Sequence, residues 1–231
     1  MSTKAPQHTE QKDLDIGEMY TRTELFFEKN KKAVSIGVTA LLALVVLVIG
    51  YKKFYAEPKA KEAQEMIWKA QYYFEIDSLD LAMNGDGNYL GLLDIADRYS
   101  STPSGELANF YLGTIMMQKG DHEAALSYYK EADLEDDVLS AMAVGNQGDA
   151  LVELGRTDEA LGKFEKAANM TENEFTTPMY LMKAGLIYQQ KADWKNAAKV
   201  YRRVAKEYPL TPDGSVAKKN AAFAEEKAAQ G

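Results

Sequence analysis

The chain has 231 residues, 27 Lys and Arg against 35 Asp and Glu, a formal net charge of −8 and no cysteine. This length allows one or two domains with a buried core, and the lack of cysteine excludes a disulfide framework, thiolate-bound metals, a thiol nucleophile and a cysteine-linked lipid. The acidic balance argues against nucleic-acid binding, and the presence of only two histidines argues against histidine-based catalysis or metal binding.

The first predicted elements are a polar tail over residues 1–32 and a transmembrane helix over residues 33–51. The segment 33–50 reads AVSIGVTALLALVVLVIG, in which only Ser35 and Thr39 are polar, and Tyr51 extends it. A bilayer core about 30 Å thick is crossed by about 20 apolar residues in a helix. Lysine pairs lie at both ends, at 31–32 and 52–53. The pattern favours a single uncleaved membrane anchor.

Two alternatives to the anchor are a buried helix of a soluble protein and a cleaved signal peptide. Flanking lysine pairs speak against a buried helix. The long acidic leader and the missing Ala-x-Ala site speak against a signal peptide. Basic residues near the span do not decide its orientation, because each side carries four of them. A short uncleaved leader weakly favours a cytoplasmic N-terminus.

Residues 52–231 carry the entire acidic excess. The tail contains six basic and six acidic residues, so the remaining 21 basic and 29 acidic residues lie beyond the span. This acidic part of the chain contains an internal repeat, and a fixed period of this length is typical of repeat architectures.

Three units share small or aromatic residues at offsets of 7, 12, 16 and 19 from a glycine. The units are Gly113, Gly120, Ala125, Tyr129 and Ala132; Gly148, Gly155, Ala160, Phe164 and Ala167; and Gly185, Ala192, Ala197, Tyr201 and Val204. The spacing predicts two antiparallel helices per unit, with the first glycine at their contact and a turn at the second small residue. Ala192 replaces the turn glycine, so we expect that turn to be slightly strained or differently shaped.

This pattern resembles the tetratricopeptide repeat, a helix–turn–helix unit of about 34 residues. The resemblance implies an all-α fold, a right-handed superhelix of helix pairs preceded by the transmembrane helix. We predict clear repeats at 104–137, 139–172 and 177–209, a degenerate first repeat at 59–100 and a capping helix at 213–229. Thr102, Thr177 and Thr211 each precede a proline and are predicted helix N-caps.

No sequence motif indicates catalysis or a cofactor. The loop 84–88 (NGDGN) lacks the ligand spacing of a calcium loop and indicates a plain turn. Nucleophile-elbow, phosphate-loop and dinucleotide motifs are missing. We therefore predict a protein that is not an enzyme and has no metal site or cofactor.

The inner groove of the superhelix is the candidate partner-binding site, because the first helix of each pair lines it. Helical spacing predicts these groove residues: Leu107, Phe110, Thr114, Met117, Met142, Asp149, Met179, Met182 and Leu186. Methionine-rich surfaces accept varied apolar segments. The alternative for each residue is packing between neighbouring helices. The Lys, Arg and Asn cluster with which some of these repeats bind a partner's C-terminal carboxylate is missing from these positions.

A Lys-flanked span that runs into a short acidic repeat domain resembles the YfgM-like ancillary subunits of the bacterial Sec translocon. The resemblance implies an inner-membrane protein with one span, a cytoplasmic N-terminus and a periplasmic repeat domain. It also implies the partners: the Sec translocon, a membrane-anchored periplasmic chaperone and unfolded secretory chains. The resulting hypothesis is a non-enzymatic adaptor that assists periplasmic chaperones and secreted protein folding. The alternative is a cell-envelope scaffold for assembly or division complexes that does not contact nascent chains.

Overall fold

The computed structural model describes residues 27–230, so most of the predicted tail at 1–32 lies outside the described residues. Residues 27–230 are predominantly helical and contain no β-strand, which confirms the predicted all-α class. One isolated bridge joins Gly85 to Leu90. The described residues divide into two compact units at the junction between Tyr55 and Ala56.

The first unit contains helix α1, Lys31–Tyr51. At 1.5 Å per residue its 21 residues span about 31 Å. None of its residues is buried, and by length and composition it can cross a membrane. A π-helical turn, Lys52–Ala56, follows it in the chain.

The second unit contains the remaining described helices. They are α2 (Glu57–Glu75), α3 (Leu79–Asn84), α4 (Leu92–Arg98), α5 (Pro103–Lys119), α6 (His122–Glu131), α7 (Asp137–Glu153), α8 (Thr157–Met170), α9 (Thr176–Gln190), α10 (Trp194–Glu207) and α11 (Pro212–Gln230). Consecutive helices pack on one another, and the pairs α5–α6, α7–α8 and α9–α10 form a right-handed superhelix. Helix α11 packs against α10 and also contacts α9.

A glycine lies at the contact within each of the three pairs. A methyl group on Gly113 would lie 2.7 Å from the ring of Tyr129, and one on Gly148 would lie 2.6 Å from the ring of Phe164. Any larger residue would therefore push the second helix away from the first. The aromatic ring occupies the space that the missing side chain leaves, which explains why the two positions recur together.

Left-handed backbone conformations end the first helices of the three pairs. Gly120 and Gly155 adopt φ angles of 79° and 73°. Ala192 occupies the corresponding turn with a φ of 56°, a region that is strained for residues with a β-carbon. The strain expected at Ala192 thus has a definite backbone cause.

Two of the three predicted N-caps are present. The side-chain oxygens of Thr102 and Thr211 accept hydrogen bonds from the backbone N–H groups of Gly105 and Gly214. The prediction for Thr177 is wrong, because α9 begins at Thr176. The Asn173 side-chain carbonyl accepts the backbone N–H of Thr176 instead, at 2.7 Å.

Candidate functional site

The predicted groove residues lie on the first helices of the three pairs, and some neighbouring first helices contact each other. Helix α2 contacts α5, and α7 contacts α9. The predicted residues lie along α5, α7 and α9, but their exposure differs strongly from one position to the next. This difference decides which of them a partner could reach.

The four predicted methionines are half-buried. Met117, Met142, Met179 and Met182 all pack against the main hydrophobic core. Phe110 is buried in that core, with its ring edge-on to Tyr129 at a centroid distance of 5.8 Å. These residues therefore join the helix pairs, with only part of each methionine at the surface.

Thr114, Leu107 and Leu186 have three different environments. The Thr114 hydroxyl donates to the Phe110 carbonyl and lies 3.1 Å from the Tyr129 hydroxyl. Leu107 is half-buried against the N-terminal cluster of the core. Leu186 remains 50% exposed, which makes it the most accessible of the three.

Asp149 forms an ion pair with Lys183 across α7 and α9. The Lys183 ammonium lies 2.6 Å from the carboxylate and 5.5 Å from the ring centroid of Phe164. It also lies 5.6 Å from the ring of Tyr180, whose pKa is raised by burial and further by the negative charge of Asp149. Because Asp149 neutralises Lys183, this cation is not free to bind a partner's carboxylate.

A cleft of about 700 Å³ lies between α2 and the start of α5. Its lining includes Ile67, Trp68 and Leu107, with the amide side chains of Gln64 and Gln71 beside them. Leu107 is the one predicted groove residue in it. The cleft residues of α2 were missed because the degenerate first repeat lacks the glycine spacing of the other repeats. The sequence contains one signal that could have identified these residues. Positions 57, 61, 64, 68 and 71 recur at helical spacing and therefore lie on one face of α2.

Trp68 also belongs to a cluster of aromatic rings around Lys69, in which Trp68, Tyr72 and Tyr89 are exposed. The Lys69 ammonium lies 4.6 Å from the ring centroid of Tyr72 and 4.9 Å from that of Tyr73, with Trp68 and Tyr89 slightly farther away. Trp68 is 51% exposed and meets Tyr89 edge-on at 5.7 Å. Trp68 thus belongs both to the cleft lining and to the aromatic cluster around Lys69.

Asp86 fixes the loop beneath this cluster. Its carboxylate accepts hydrogen bonds from the Tyr73 hydroxyl at 2.6 Å and from the backbone N–H groups of Asn88 and Tyr89. These bonds lower the pKa of Asp86, with the Tyr73 hydroxyl as the largest cause. The same contact raises the pKa of Tyr73 to about 12. Over residues 27–230, no group of three or more Asp, Glu or His side chains could hold a metal ion.

Comparison with known proteins supports one part of this architecture directly. Residues 180–211 match the tetratricopeptide repeat family. The match covers most of α9, all of α10 and the turn that follows. Together with the stacked helix pairs, it supports a tetratricopeptide repeat protein and a role in protein–protein interaction. Such repeats are typically non-catalytic. No curated protein matches the chain.

Proposed function

We propose that this protein is a non-enzymatic, membrane-anchored adaptor whose protein partner docks in the cleft between α2 and α5. The main support is the cleft of about 700 Å³ between the first helices α2 and α5. Concave sites with an apolar lining and a few polar groups are the common form of binding sites. The predicted groove residues that remain accessible, above all Leu186, would extend this surface toward α9.

The chemistry of the cleft suits an extended polypeptide. Trp68 and Leu107 offer apolar contact, and Ile67 closes the floor with only 4% of its surface exposed. Gln64 and Gln71 can each donate and accept hydrogen bonds, as an extended backbone requires. These hydrogen bonds would be made to the peptide backbone, which is the same in every sequence. The site would therefore accept varied apolar segments.

The anchor would be α1, and the membrane the bacterial inner membrane. The apolar composition of α1 and the absence of buried residues in it support a single span. The resemblance to YfgM-like proteins supports a cytoplasmic N-terminus and a periplasmic repeat domain. It also supports the role of an ancillary translocon subunit that assists a membrane-anchored periplasmic chaperone and secreted protein folding.

Affinity purification in mild detergent tests this function. The cleft variant Trp68→Glu places a negative charge in the site, and Leu210→Glu is the matched control because it adds the same charge at a residue that is 94% exposed on another part of the unit. We expect wild type and control to capture translocon subunits or the chaperone, and the cleft variant to lose them. Capture of only assembly or division proteins would instead favour an envelope scaffold.

Thiol labelling tests the topology, since the chain contains no cysteine of its own. A membrane-impermeant maleimide should label Ser215→Cys, an exposed position on α11, in cells whose outer membrane is permeabilised. Ser2→Cys should react only after the inner membrane is opened. The reverse pattern would contradict the proposed orientation.

A further inference from the structure

Helix α10 carries a charge opposite to that of the rest of its unit. It contains five basic residues and one acidic residue, whereas the other residues of 51–231 comprise 16 basic and 28 acidic ones. Lys195, Lys199, Arg202 and Lys206 follow one another at spacings of four, three and four, so they lie along one face of the helix. All four are exposed. We refer to these four residues as the α10 stripe.

Three of the four cations in the α10 stripe have no carboxylate partner among the described residues. Arg202 pairs with Glu225 on α11, with 2.9 Å between Nε and Oε1. Lys195, Lys199 and Lys206 form no ion pair within residues 27–230, although cations elsewhere in the unit, such as Lys119 and Lys183, are paired. The stripe therefore keeps positive charge available in an otherwise acidic unit.

A cleft of about 320 Å³ adjoins the stripe between α8, α9 and α10. Lys199 and Arg203 lie at its edge, and its apolar lining comprises buried Leu181 together with Tyr188 and Val200. The one carboxylate in the lining, Glu165, accepts the hydroxyl of Tyr188. The cleft offers room for a bulky apolar side chain next to a row of cations.

We propose that the α10 stripe and this cleft bind an extended acidic polypeptide segment that carries one bulky apolar side chain. Successive stripe residues rise by about 4.5–6 Å along the helix axis. Alternate residues of an extended chain are about 6.6 Å apart, so carboxylates at alternate positions would meet successive cations. The negative charge of the rest of the unit would repel such a segment everywhere else, which directs it to this face.

Fluorescence polarisation with a labelled peptide, Glu-Asp-Glu-Phe-Glu-Asp-Glu-Asp, tests the proposal on the full chain in neutral detergent. Lys199→Glu/Lys206→Glu should weaken binding by about tenfold or more. The matched control is Lys218→Glu/Lys219→Glu, which changes the charge equally at exposed positions of α11. It should leave affinity within about twofold. Replacing the peptide phenylalanine by serine should also weaken binding.

Several results would overturn the proposal. Equal losses in the two variants would indicate a general charge effect. Binding of wild type to anionic phospholipid vesicles through Lys199 and Lys206, without binding of the peptide, would identify the stripe as a lipid-contact face. Stripe-dependent self-association without peptide binding would identify a second copy as the occupant. None of these outcomes affects the proposed function, since the cleft between α2 and α5 is formed by other helices.

Discussion

The carboxylate of Asp149 on α7 lies 2.6 Å from the ammonium of Lys183 on α9, across 34 positions of sequence. The pair joins the second and third helix pairs at the surface that the first helices share. Both side chains keep about a third of their surface exposed, at 32% for Asp149 and 33% for Lys183. The contact is therefore partly desolvated and shielded from salt better than a fully exposed pair.

A double-mutant cycle should measure this coupling. We expect Asp149→Asn and Lys183→Met to reveal an interaction of about 1 kcal/mol in the free energy of unfolding, measured by urea denaturation. The matched control is the exposed pair of Asp158 and Lys191, which also bridges two helix pairs. Its cycle, with Asp158→Asn and Lys191→Met, should give less than about 0.5 kcal/mol. Equal coupling in the two cycles would contradict the partial desolvation of Asp149 and Lys183.

Gly148 and Gly162 should respond in opposite ways to alanine. Gly148→Ala places a methyl group 2.6 Å from the Phe164 ring and should destabilise the domain by about 1–3 kcal/mol. Gly162 on α8 has nothing within 4 Å of an added methyl group, so Gly162→Ala should stabilise by about 0.5–1 kcal/mol through helix propensity. Thermal and urea unfolding of the two variants check this. A neutral Gly148→Ala would show that the helices do not depend on this close contact.

Ala192→Gly should stabilise the third helix pair. Ala192 has a φ of 56°, and glycine adopts this region without steric cost. We expect the free energy of unfolding to increase by about 0.5–1 kcal/mol. This gain is smaller than the strain energy that is relieved, because glycine also gives the unfolded chain more conformational freedom. The converse variant Gly155→Ala, at a φ of 73°, should lose about 1 kcal/mol. Changes of the same sign in both variants would refute this explanation.

The contact between Tyr73 and Asp86 should make the loop after α3 sensitive to acid. The pKa of Asp86 is lowered in the folded state, so the contact contributes stability above pH 3.8, the ordinary value, and loses it as the pH falls through the folded pKa. The pKa of Tyr73 is raised from 10.0 to about 12, so its contribution is present below pH 10 and is lost as the pH rises toward 12.

An NMR titration of the Asp86 carboxyl group measures this effect. Tyr73→Phe should raise the pKa of Asp86, because it removes the largest of the interactions that lower it. The backbone N–H groups of Asn88 and Tyr89 should still hold that pKa below its ordinary value. Tyr72→Phe is the control, since the Tyr73 hydroxyl is the one that bonds Asp86. An unchanged Asp86 pKa in Tyr73→Phe would contradict the structure.

The helix pairs could be predicted because the packing within a pair requires particular residues at fixed, short sequence separations. Gly148 and Phe164 are 16 residues apart, and the same spacing recurs for Gly113 with Tyr129. The caps at Thr102 and Thr211 were predictable for the same reason, since an N-cap depends on the next three residues. The end of α8 and the turn to α9 follow a different local arrangement, in which the Asn173 side chain accepts the backbone N–H of Thr176.

The binding surface was harder to predict, because one helical stripe serves both the groove and the contacts between helices. Met142 and Met182 have the spacing of groove residues, yet they pack half-buried against the core. Which part of a methionine is exposed depends on the rotation of each helix against its neighbours, and the sequence period is too coarse to determine that rotation. Trp68 was missed since it lies in α2, where the repeat signature is absent.

Site-directed crosslinking from the cleft shows whether a partner docks there, because an introduced cysteine is the only one in the chain. A thiol-reactive photocrosslinker would be placed at Gln64→Cys in the cleft and, as control, at Lys166→Cys on the exposed face of α8. In bacterial membranes we expect crosslinks from position 64 to a translocon subunit, a membrane-anchored chaperone or a secretory chain, and none of these from position 166. Equal labelling from both positions, or no partner at position 64, would contradict the account.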